Sequence, residues 1–411
     1  MPTVALKTLG CKLNQYETEA IRAALEDGGF DAVPFDAPAD VYVLNTCTVT
    51  GRSDYKSRQL ARRICRDRPD AVLVVTGCYA EVAPDVFRAL GPRVRVVPNQ
   101  RKNGIAALLG GAAEGAASRR PTRFAGKTRF FLKVQEGCDH ACAYCAVRTA
   151  RGPSRSRPAA DVVADLDAAV AGGVKEVVLV GVDLGAYGRD LAPPSSLARL
   201  VAALAERPGD FRLRLSSVDV ADLDDDLVGL LADGPLCPHV HLPLQSADDR
   251  VLRAMRRRYR AADYRRGCDA LFARCPDVAV GADVIAGLPG EDEAAFEATA
   301  SLLRAYPFAY LHVFPYSARE GTDAAAAPAQ VAASDRERRA AALRELAVEK
   351  RRAYERRFDG AERPALVENG AEALTDNYLH VALDDYAGPA NVFVRLRLAA
   401  GARGLRGRVA A

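Results

Sequence analysis

Runs of apolar residues alternate with amphipathic stretches through the first 109 residues of the chain. The runs VALKTLGC, VYVLNTC and AVLVVTGC end at Cys11, Cys47 and Cys78, and a stretch with helical spacing of apolar residues follows each of them. Strands that alternate with helices build a parallel sheet with right-handed crossovers. We therefore predict a doubly wound parallel α/β domain over residues 1–115, whose three cysteines share the carboxyl edge of the sheet, where such domains bind ligands.

The alternation resumes near residue 129 and continues to about residue 328. Six short apolar runs, from FFLKV to YLHVFPYS, are separated by amphipathic stretches, whereas a closed barrel of this kind needs eight strands. The pattern predicts a partial, open (β/α)6 barrel over residues 129–328, with functional residues at the carboxyl ends of the strands. Residues 110–128 are rich in Gly, Ala and Arg without periodicity, which is typical of a linker.

The C-terminal part of the chain predicts a helix followed by a small barrel. Residues 329–359 contain one long charged helical stretch that connects domains, with Ser334 or Asp335 as its N-cap. After Gly360, about five short alternating runs separated by Gly and Asn predict a small β-barrel over residues 360–411.

Composition narrows the class of protein. The chain has 411 residues, 49% of them hydrophobic, which suggests two or three domains. It contains no apolar run long enough for a membrane span and no signal-peptide pattern, so we expect a soluble cytoplasmic protein without a membrane partner. The net charge of +4 identifies no partner by itself. Basic segments at 148–158, 253–266 and 395–408 permit RNA as a partner, although each alone is more often a solvated surface.

The ten cysteines lie near predicted strand ends or in a short loop of a long chain. This distribution predicts metal-binding or catalytic thiols in a reducing compartment rather than a framework of disulfides. Cys138, Cys142 and Cys145, here called the loop trio, have a C-x3-C-x2-C spacing directly after a strand-like run. Three thiolates this close can hold three corners of a cubane 4Fe-4S cluster and leave the fourth iron open to a ligand. The alternative is a zinc site, for which only His140 lies near enough in sequence to be the fourth ligand.

Cys11, Cys47 and Cys78, here called the edge trio, allow two interpretations. Each cysteine alone is best explained as a small buried hydrophobic residue at a strand end. Three cysteines in the same structural position, in a chain that has a second three-cysteine motif, favour a second iron-sulfur cluster. Cys65, Cys237, Cys268 and Cys275 stand in no motif and are interpreted as core or surface thiols.

The loop trio, with Tyr144 before its last cysteine, resembles the signature of the radical S-adenosylmethionine (SAM) enzymes. The segments TLGCKLNQYETEAI, NTCTVT and TGCYAE around the edge trio resemble the N-terminal domain of the methylthiotransferases within that superfamily. The start TLGCKLNQYE is similar to the branch that acts on threonylcarbamoyladenosine in tRNA. This resemblance implies that the loop trio holds the cluster that generates a radical from SAM, and that the edge trio holds an auxiliary 4Fe-4S cluster that carries the transferred sulfur.

The resemblance also implies a set of SAM contacts in loops that follow the barrel strands. These residues are Tyr144, Asp183, Ser217, Asp219, Gln245, Asp283, Gly287 and Pro289. Two positions depart from the family pattern: Asp219 replaces a Glu, which puts its cofactor contact in doubt, and Ala247 replaces a Gly. The segment RGPSRSRP at 151–158 resembles a family motif whose arginines either contact RNA phosphates or fix the loop.

The implied reaction is the conversion of N6-threonylcarbamoyladenosine at position 37 of tRNA to its 2-methylthio derivative. The implied partners are the tRNA anticodon loop and a flavodoxin- or ferredoxin-like electron donor, and DNA is not expected. By position, the C-terminal barrel resembles the TRAM domain that binds tRNA, and a purely structural cap is the alternative. The alternative functions are methylthiolation of isopentenyladenosine in tRNA or of a ribosomal-protein aspartate, and, from another class, a non-enzymatic zinc or iron-sulfur protein.

Overall fold

The computed structural model describes residues 1–111, 121–122, 124, 127–402 and 404–410. The first unit contains the described residues of Met1–Pro121, Glu136–Arg155 and Ser317–Ala325. The second contains those of Thr122–Gln135, Ser156–Tyr316 and Ala326–Ala411. The predicted linker at 110–128 lies largely outside the described residues and the predicted limit at residue 115 lies wholly outside them, so the domain limits stay predictions.

The first unit is built on a parallel five-stranded sheet in the order β2-β1-β3-β4-β5. Its strands are β1 (Thr3–Thr8), β2 (Asp31–Val33), β3 (Val41–Thr46), β4 (Val72–Gly77) and β5 (Val94–Val96). Its helices are α1 (Lys12–Asp27), α2 (Gly51–Asp67), α3 (Cys78–Val82), α4 (Pro84–Arg88) and α5 (Ile105–Leu108). The three predicted strands are confirmed as β1, β3 and β4, whereas the three-residue strands β2 and β5 were too short to give a pattern.

Helices cover both faces of this sheet. Val4 and Leu6 of β1 pack in one core with Ile21 and Leu25 of α1. Ala5, which points to the opposite face because strand side chains alternate, packs in a second core that also contains Ala61 and Ile64 of α2. The predicted doubly wound arrangement is confirmed, since β1 is buried on both faces.

The second unit contains six parallel strands with helices between them. From β6 to β13, the elements in chain order are β6 (Arg129–Lys133), β7 (Gln135–Glu136), α6 (Val147–Arg151), β8 (Arg155–Ser156), α7 (Ala159–Ala171), β9 (Glu176–Val180), α8 (Leu197–Ala205), β10 (Arg212–Leu215), α9 (Asp225–Ala232), β11 (His239–His241), α10 (Asp249–Ala254), α11 (Ala261–Arg274), β12 (Ala279–Ala286), α12 (Glu293–Ala305) and β13 (Tyr310–Pro315). Of these, α6 belongs to the first unit. The six strands form two three-stranded sheets, one in the order β6-β9-β10 and the other in the order β11-β12-β13. Single parallel bridges, including the one between Ser217 and His241, join β10 to β11. The predicted six-stranded partial barrel is confirmed.

A long helix and a closed barrel complete the second unit. These elements are α14 (Ala333–Arg356), β14 (Glu362–Asn369), β15 (Glu372–Thr375), β16 (His380–Leu383), β17 (Phe393–Gly401) and β18 (Gly404–Val409). The short helix α13 (Asp323–Ala326) precedes them, and all of it but Ala326 belongs to the first unit. The five strands close into the predicted small barrel, in the order β14-β15-β16-β18-β17. The predicted N-cap is wrong: Ala332 is the N-cap, so Ser334 and Asp335 lie in the first turn, where Asp335 pairs with Arg338. Every described helix lacks the long apolar stretch that crossing a bilayer requires.

The C-terminal barrel packs against the amino ends of the core strands through a buried ion pair. Glu176, the first residue of β9, is fully buried and binds Arg214 of β10, with Oε1 2.9 Å from Nε. The Arg214 guanidinium also donates to the carbonyls of Thr375 and Asp376 in the barrel, at 3.2 and 2.8 Å. The barrel therefore lies at the end of the strands opposite to their carboxyl ends.

Removal of the Glu176 carboxylate is expected to destabilise the second unit. Glu176→Ala leaves the buried Arg214 charge uncompensated, which should cost about 3–5 kcal/mol in urea unfolding followed by circular dichroism. Burial alone would raise the pKa of Glu176, but Arg214 and Arg212 lower it to about 2. The stabilisation that ionised Glu176 contributes to the folded state should therefore be complete above the ordinary pKa of Glu, and it should be lost only as the pH falls towards 2. Glu345→Ala, on the exposed face of α14, is the control, and an equal loss in both variants would contradict the assignment.

Candidate iron-sulfur and cofactor site

The loop trio lies on a loop of the first unit that is closed at its base. The Cys138 backbone N–H donates to the Gly152 carbonyl at 3.1 Å. Gly137 has a φ of 74°, and a Cβ at this position would lie 1.9 Å from the Pro153 carbonyl oxygen. Only glycine fits there, so the residue before the first cysteine of the loop is dictated by backbone geometry.

Backbone N–H groups face the sulfur atoms of this loop. The His140 N–H lies 3.4 Å from Cys138 Sγ, and the Val147 N–H lies 3.4 Å from Cys145 Sγ. Such donors stabilise the thiolate form, which is the form that binds iron. Three sulfur donors on one short loop, with peptide N–H groups directed at two of them, fit a 4Fe-4S cluster with one open iron.

The edge trio follows three adjacent strands of the parallel sheet. Cys47 comes directly after β3 and Cys78 directly after β4, while Cys11 comes three residues after the end of β1. The strand order reverses between β1 and β3, and parallel α/β sheets bind ligands in the crevice at such a reversal. Gly10 has a φ of 104°, and a Cβ there would lie 2.6 Å from Cys47 Sγ, so the Cys11 segment passes close to Cys47.

The burial of the edge trio suits a shared metal group better than three core residues. Cys11 is exposed, Cys78 is half-buried and Cys47 is buried. Burial raises the pKa of the Cys47 thiol to about 11, and it also raises the pKa of Cys78. Neighbouring Cys11 adds to the shift at both cysteines, whereas the charges of Arg151 and Lys102 oppose it at Cys78. Binding of a metal cation would hold both groups as thiolates.

Asn14 connects two segments of the edge trio, a role that the sequence did not reveal. This fully buried side chain donates from Nδ2 to the carbonyls of Leu9 and Thr46, at 2.8 and 2.9 Å. Leu9 precedes Cys11 by two residues and Thr46 precedes Cys47 by one. Asn14 stands in the TLGCKLNQ segment, but the pattern there gave no information on its partners.

The arginines of segment 151–158 have different environments. The Arg151 side chain is 2% exposed, which excludes contact with RNA phosphates and shows that it fixes the loop. Arg157 binds Asp165 at 2.8 Å within the second unit. Arg155 is 43% exposed and lies 4.0 Å from Glu136. The two interpretations of this segment are thus resolved for Arg151 by its burial.

The residues expected to contact SAM in the second unit lie at or near the carboxyl ends of its strands. Asp183 follows β9, Ser217 and Asp219 follow β10, Gln245 follows β11, Asp283 lies within β12, and Gly287 and Pro289 follow β12. Tyr144 belongs to the first unit, where it is half-buried between the last two cysteines of the loop trio. These SAM contacts and the six cysteine ligands stay predictions.

Gln245 has a strained backbone at this edge of the second unit. Its φ of 62° is uncommon for a residue other than glycine. The Gln245 N–H donates to the Asp283 carbonyl at 2.8 Å, and its own carbonyl accepts from the Ile285 N–H at 3.0 Å. These two bonds hold the strained conformation, which fixes the direction of a buried polar side chain.

Asp283 is held as an anion by two histidines that sequence analysis did not single out. Its Oδ1 lies 3.0 Å from His241 Nε2 and 3.1 Å from His312 Nδ1. Burial alone would raise the pKa of Asp283, but the hydrogen bonds from His241 and His312 lower it well below its usual range. The Tyr310 hydroxyl lies 3.2 Å from His241 Nδ1 and orients this ring.

Asp219 is already engaged by the protein. Its carboxylate binds Arg257 at 2.6 Å and accepts the Ala221 N–H at 3.0 Å. A cofactor contact at Asp219 therefore competes with an ion pair whose two side chains are about nine-tenths buried. Of the expected SAM contacts, this one departs from the family pattern and is also held by other groups.

Two protein-family models match the chain. The model described as the Radical SAM superfamily matches residues 132–303, which include the loop trio and the strands up to β12. The model described as Uncharacterized protein family UPF0004 matches residues 3–98, which include the edge trio. The two cysteine trios thus fall in two different family matches.

Curated relatives match nearly the whole chain. It is 37% identical over 403 residues to the threonylcarbamoyladenosine tRNA methylthiotransferase MtaB of Rickettsia prowazekii, covering 94% of this chain and 92% of the relative. It is 34% identical over 421 residues to the tRNA-2-methylthio-N(6)-dimethylallyladenosine synthase of Cereibacter sphaeroides, covering 97% and 96%. Among solved structures, the radical S-adenosylmethionine methyltransferase TsrM from Kitasatospora setae has a TM-score of 0.57 at 15% identity, covering 79% of this chain and 75% of that one. This last likeness concerns the fold alone.

Proposed function

Because the chain belongs to the family of the threonylcarbamoyladenosine tRNA methylthiotransferases, we propose that it converts N6-threonylcarbamoyladenosine beside the tRNA anticodon to its 2-methylthio derivative. The observation that carries the proposal is the presence of two separate cysteine trios in one unit, each beginning directly after a glycine that close contacts require there, Gly10 or Gly137. Transfer of a methylthio group to an aromatic C–H requires both a radical source and a sulfur source, and the two trios provide a place for each.

SAM and 4Fe-4S clusters are the cofactors, and when bound they supply one-electron chemistry, the methyl group and the sulfur atom. The loop trio would hold the cluster that binds SAM, and the edge trio would hold the auxiliary cluster. The protein contributes N–H donors to the loop sulfurs and, through Gly10, a close approach of the Cys11 segment to Cys47. Both features place sulfur ligands before any metal binds.

We assign the SAM contacts to the loops at the carboxyl ends of the second unit's strands. Asp283 supports this assignment because it stays ionised, and an anion suits a cofactor that carries sulfonium and ammonium charges. Gly287 has a φ of 78°, and a Cβ there would lie 2.1 Å from Arg336 Cγ, so its lack of a side chain makes room for Arg336. We propose that Gly287 contacts SAM through its backbone. Asp183, Ser217, Gln245 and Pro289 complete the proposed set in this unit, and Asp219 belongs to it only if its pair with Arg257 opens. Tyr144, which belongs to the first unit, is the remaining proposed contact.

Nucleoside mass spectrometry of tRNA from a deletion strain tests the substrate. We expect the 2-methylthio derivative of threonylcarbamoyladenosine to disappear, the unmodified nucleoside to accumulate, and the plasmid-borne gene to reverse both changes. If the 2-methylthio derivative of dimethylallyladenosine disappeared instead, the chain would have the activity named for the Cereibacter sphaeroides relative. Unchanged tRNA nucleosides would contradict the proposal, and a protein side chain would then be the remaining candidate substrate.

A basic groove in the second unit is our candidate for contact with tRNA phosphates. It has a volume of about 670 Å³ and runs between α14 and strands β16, β17 and β18. Arg351, Arg352 and Arg356 line it from α14, and all three are exposed. Glu355 and Glu372 also line it, so the groove has a positive excess rather than a uniformly positive wall. Arg351 also pairs with Glu355 at 3.8 Å, and because this arginine is exposed, a phosphate can replace that partner. Arginine contacts to phosphate oxygens give affinity without reading sequence.

The triple variant R351Q/R352Q/R356Q should weaken tRNA binding and make it less dependent on salt. Each lost phosphate contact should reduce the slope of log K against log salt by roughly 1, measured by filter binding or fluorescence anisotropy. Arg344→Gln is the matched control, because Arg344 is exposed on the same helix and does not line the groove. Equal affinities for the triple variant and the control would show that this groove does not contact tRNA.

The remaining partners follow from the reaction. Cleavage of SAM consumes electrons, so we propose a flavodoxin- or ferredoxin-like donor. A tRNA anticodon loop is the nucleic-acid partner, because a base must be unstacked to be modified. Such a substrate places the proposed reaction in the cytoplasm.

A further inference from the structure

Arg151 is a buried cation that touches a cysteine of the edge trio. It is the last residue of α6, the helix that directly follows the loop trio, and its side chain is 2% exposed. The Arg151 Nε lies 3.3 Å from Cys78 Sγ. A guanidinium that is always charged therefore faces a proposed cluster ligand.

The other nitrogens of Arg151 are fixed by neighbouring groups, so Nε is held in place. Nη1 and Nη2 donate to the two oxygens of Glu17, at 2.8 and 3.1 Å. Nη2 also donates to Asn14 Oδ1 at 2.5 Å. Because both Glu17 and Asn14 are buried, the planar fork has one orientation, and that orientation directs Nε–H towards Cys78.

The Arg151 network reaches segments that carry all three edge cysteines. Arg151 contacts Cys78 directly, and through Asn14 it connects to Leu9 and Thr46, which lie close before Cys11 and Cys47. Its neighbour Gly152 accepts the backbone N–H of Cys138, the first residue of the loop trio. One residue and its successor thus connect the two cysteine sets within the first unit.

Two cations and two carboxylates, which differ in their exposure to solvent, meet beside the edge trio. Lys102 also binds Glu17, and the side chains of these two residues are 5% and 6% exposed. Glu136, at 3.1 Å from Arg151 Nη1, is 18% exposed and so better solvated. Burial lowers the pKa of Lys102, and neighbouring Glu17 opposes that shift. Arg151, which is always charged, is therefore the cation that can offset the negative charge that cluster thiolates bring into this site.

We propose that Arg151 is a positioning residue whose Nε–H donates to the Cys78 thiolate, which holds the auxiliary cluster in register with the loop trio and raises its reduction potential. Hydrogen bonds to ligand sulfurs stabilise the more negative, reduced state of a cluster, which is why the potential rises. This inference rests on the proposed function, because it assumes that the edge trio holds a cluster.

The test measures the potential of the auxiliary cluster by itself. The full chain is prepared with the loop trio replaced by alanine, reconstituted with iron and sulfide, and titrated by electron paramagnetic resonance. In this background we expect Arg151→Gln to shift the potential to a more negative value. Arg151→Lys should give a smaller shift in the same direction, because it keeps the charge but loses the fixed fork. Arg148→Gln, an exposed position on the same helix, is the matched control and should keep the parent potential.

The outcomes separate this inference from the proposed function. If the parent protein in this background binds no four-iron cluster, the two-cluster function itself fails. If the parent cluster titrates and both Arg151 variants keep its potential, only the role of Arg151 is overturned. Where Arg151→Gln holds too little iron to titrate, Arg151→Lys decides, and a parent-like potential in that variant overturns the proposal. In the complete enzyme, Arg151→Lys should also form fewer methylthio nucleosides per deoxyadenosine, by roughly tenfold to a hundredfold, because a small misplacement of the sulfur source is costly.

Discussion

Replacing Cys142 with alanine is expected to abolish cleavage of SAM by this enzyme. Cys142 is the central member of the loop trio, and the turn that follows it is set by the Cys145 N–H, which donates to the Cys142 carbonyl at 3.1 Å. His140 lies in the same loop, and its backbone N–H is directed at Cys138 Sγ, the first thiol of the trio. A cubane needs each of the three protein ligands if it is to present its fourth iron to SAM. With two thiols the loop should fail to retain that cluster.

The measurement is the formation of 5′-deoxyadenosine under strong reductant, which should fall to the level seen without enzyme. Iron should fall from about eight to about four per chain, since one of two four-iron clusters is lost. Cys65→Ala is the matched control, because Cys65 is half-buried on α2 and outside both trios. If Cys142→Ala still cleaved SAM, the loop trio would have another role. Stoichiometric zinc and no visible absorbance in the parent would favour the zinc alternative instead.

The parts of this fold that the sequence predicted are those governed by local patterns. Strands β1, β3 and β4 are apolar runs buried on both faces, and each ends in a polar or glycine-containing turn before a helix. Once such strands are taken as parallel, the carboxyl-edge position of Cys11, Cys47 and Cys78 follows from topology. The six core strands and the closed C-terminal barrel were predicted for the same reason.

The parts that the sequence missed depend on contacts between distant residues. Arg151 stands in a segment rich in arginine, which is typical of a solvated surface, yet it binds Glu17, 134 residues earlier. Asn14 and the histidines around Asp283 likewise gain their roles only from partners on other elements. The N-cap of α14 was misplaced because Ser334 and Asp335 are both suitable caps by type, and the backbone enters the helix two residues before Ser334, at Ala332.

If the loop trio cleaves SAM and the edge trio supplies sulfur, a variant of the edge trio should lose a different activity from Cys142→Ala. Cys47→Ala should abolish methylthio transfer and leave SAM cleavage intact. Cys47 is buried at the end of β3, beside Gly10, and belongs to the strand edge rather than to the loop closed by Cys138 and Gly152. Removing one small sulfur atom there deletes a ligand of the auxiliary cluster without breaking a backbone bond that shapes the loop. The loop trio keeps its three thiols and its two N–H donors.

Both activities of Cys47→Ala are read from the same reaction mixture with substrate tRNA. Deoxyadenosine should form at a rate close to that of the Cys65→Ala control, whereas 2-methylthio nucleosides should be undetectable by mass spectrometry of the digested tRNA. Electron paramagnetic resonance should show one reduced cluster in place of two. If Cys47→Ala and Cys142→Ala lost the same single activity, the two trios would serve one centre. In that case the sulfur that reaches adenine would need a source other than the carboxyl edge of the N-terminal sheet.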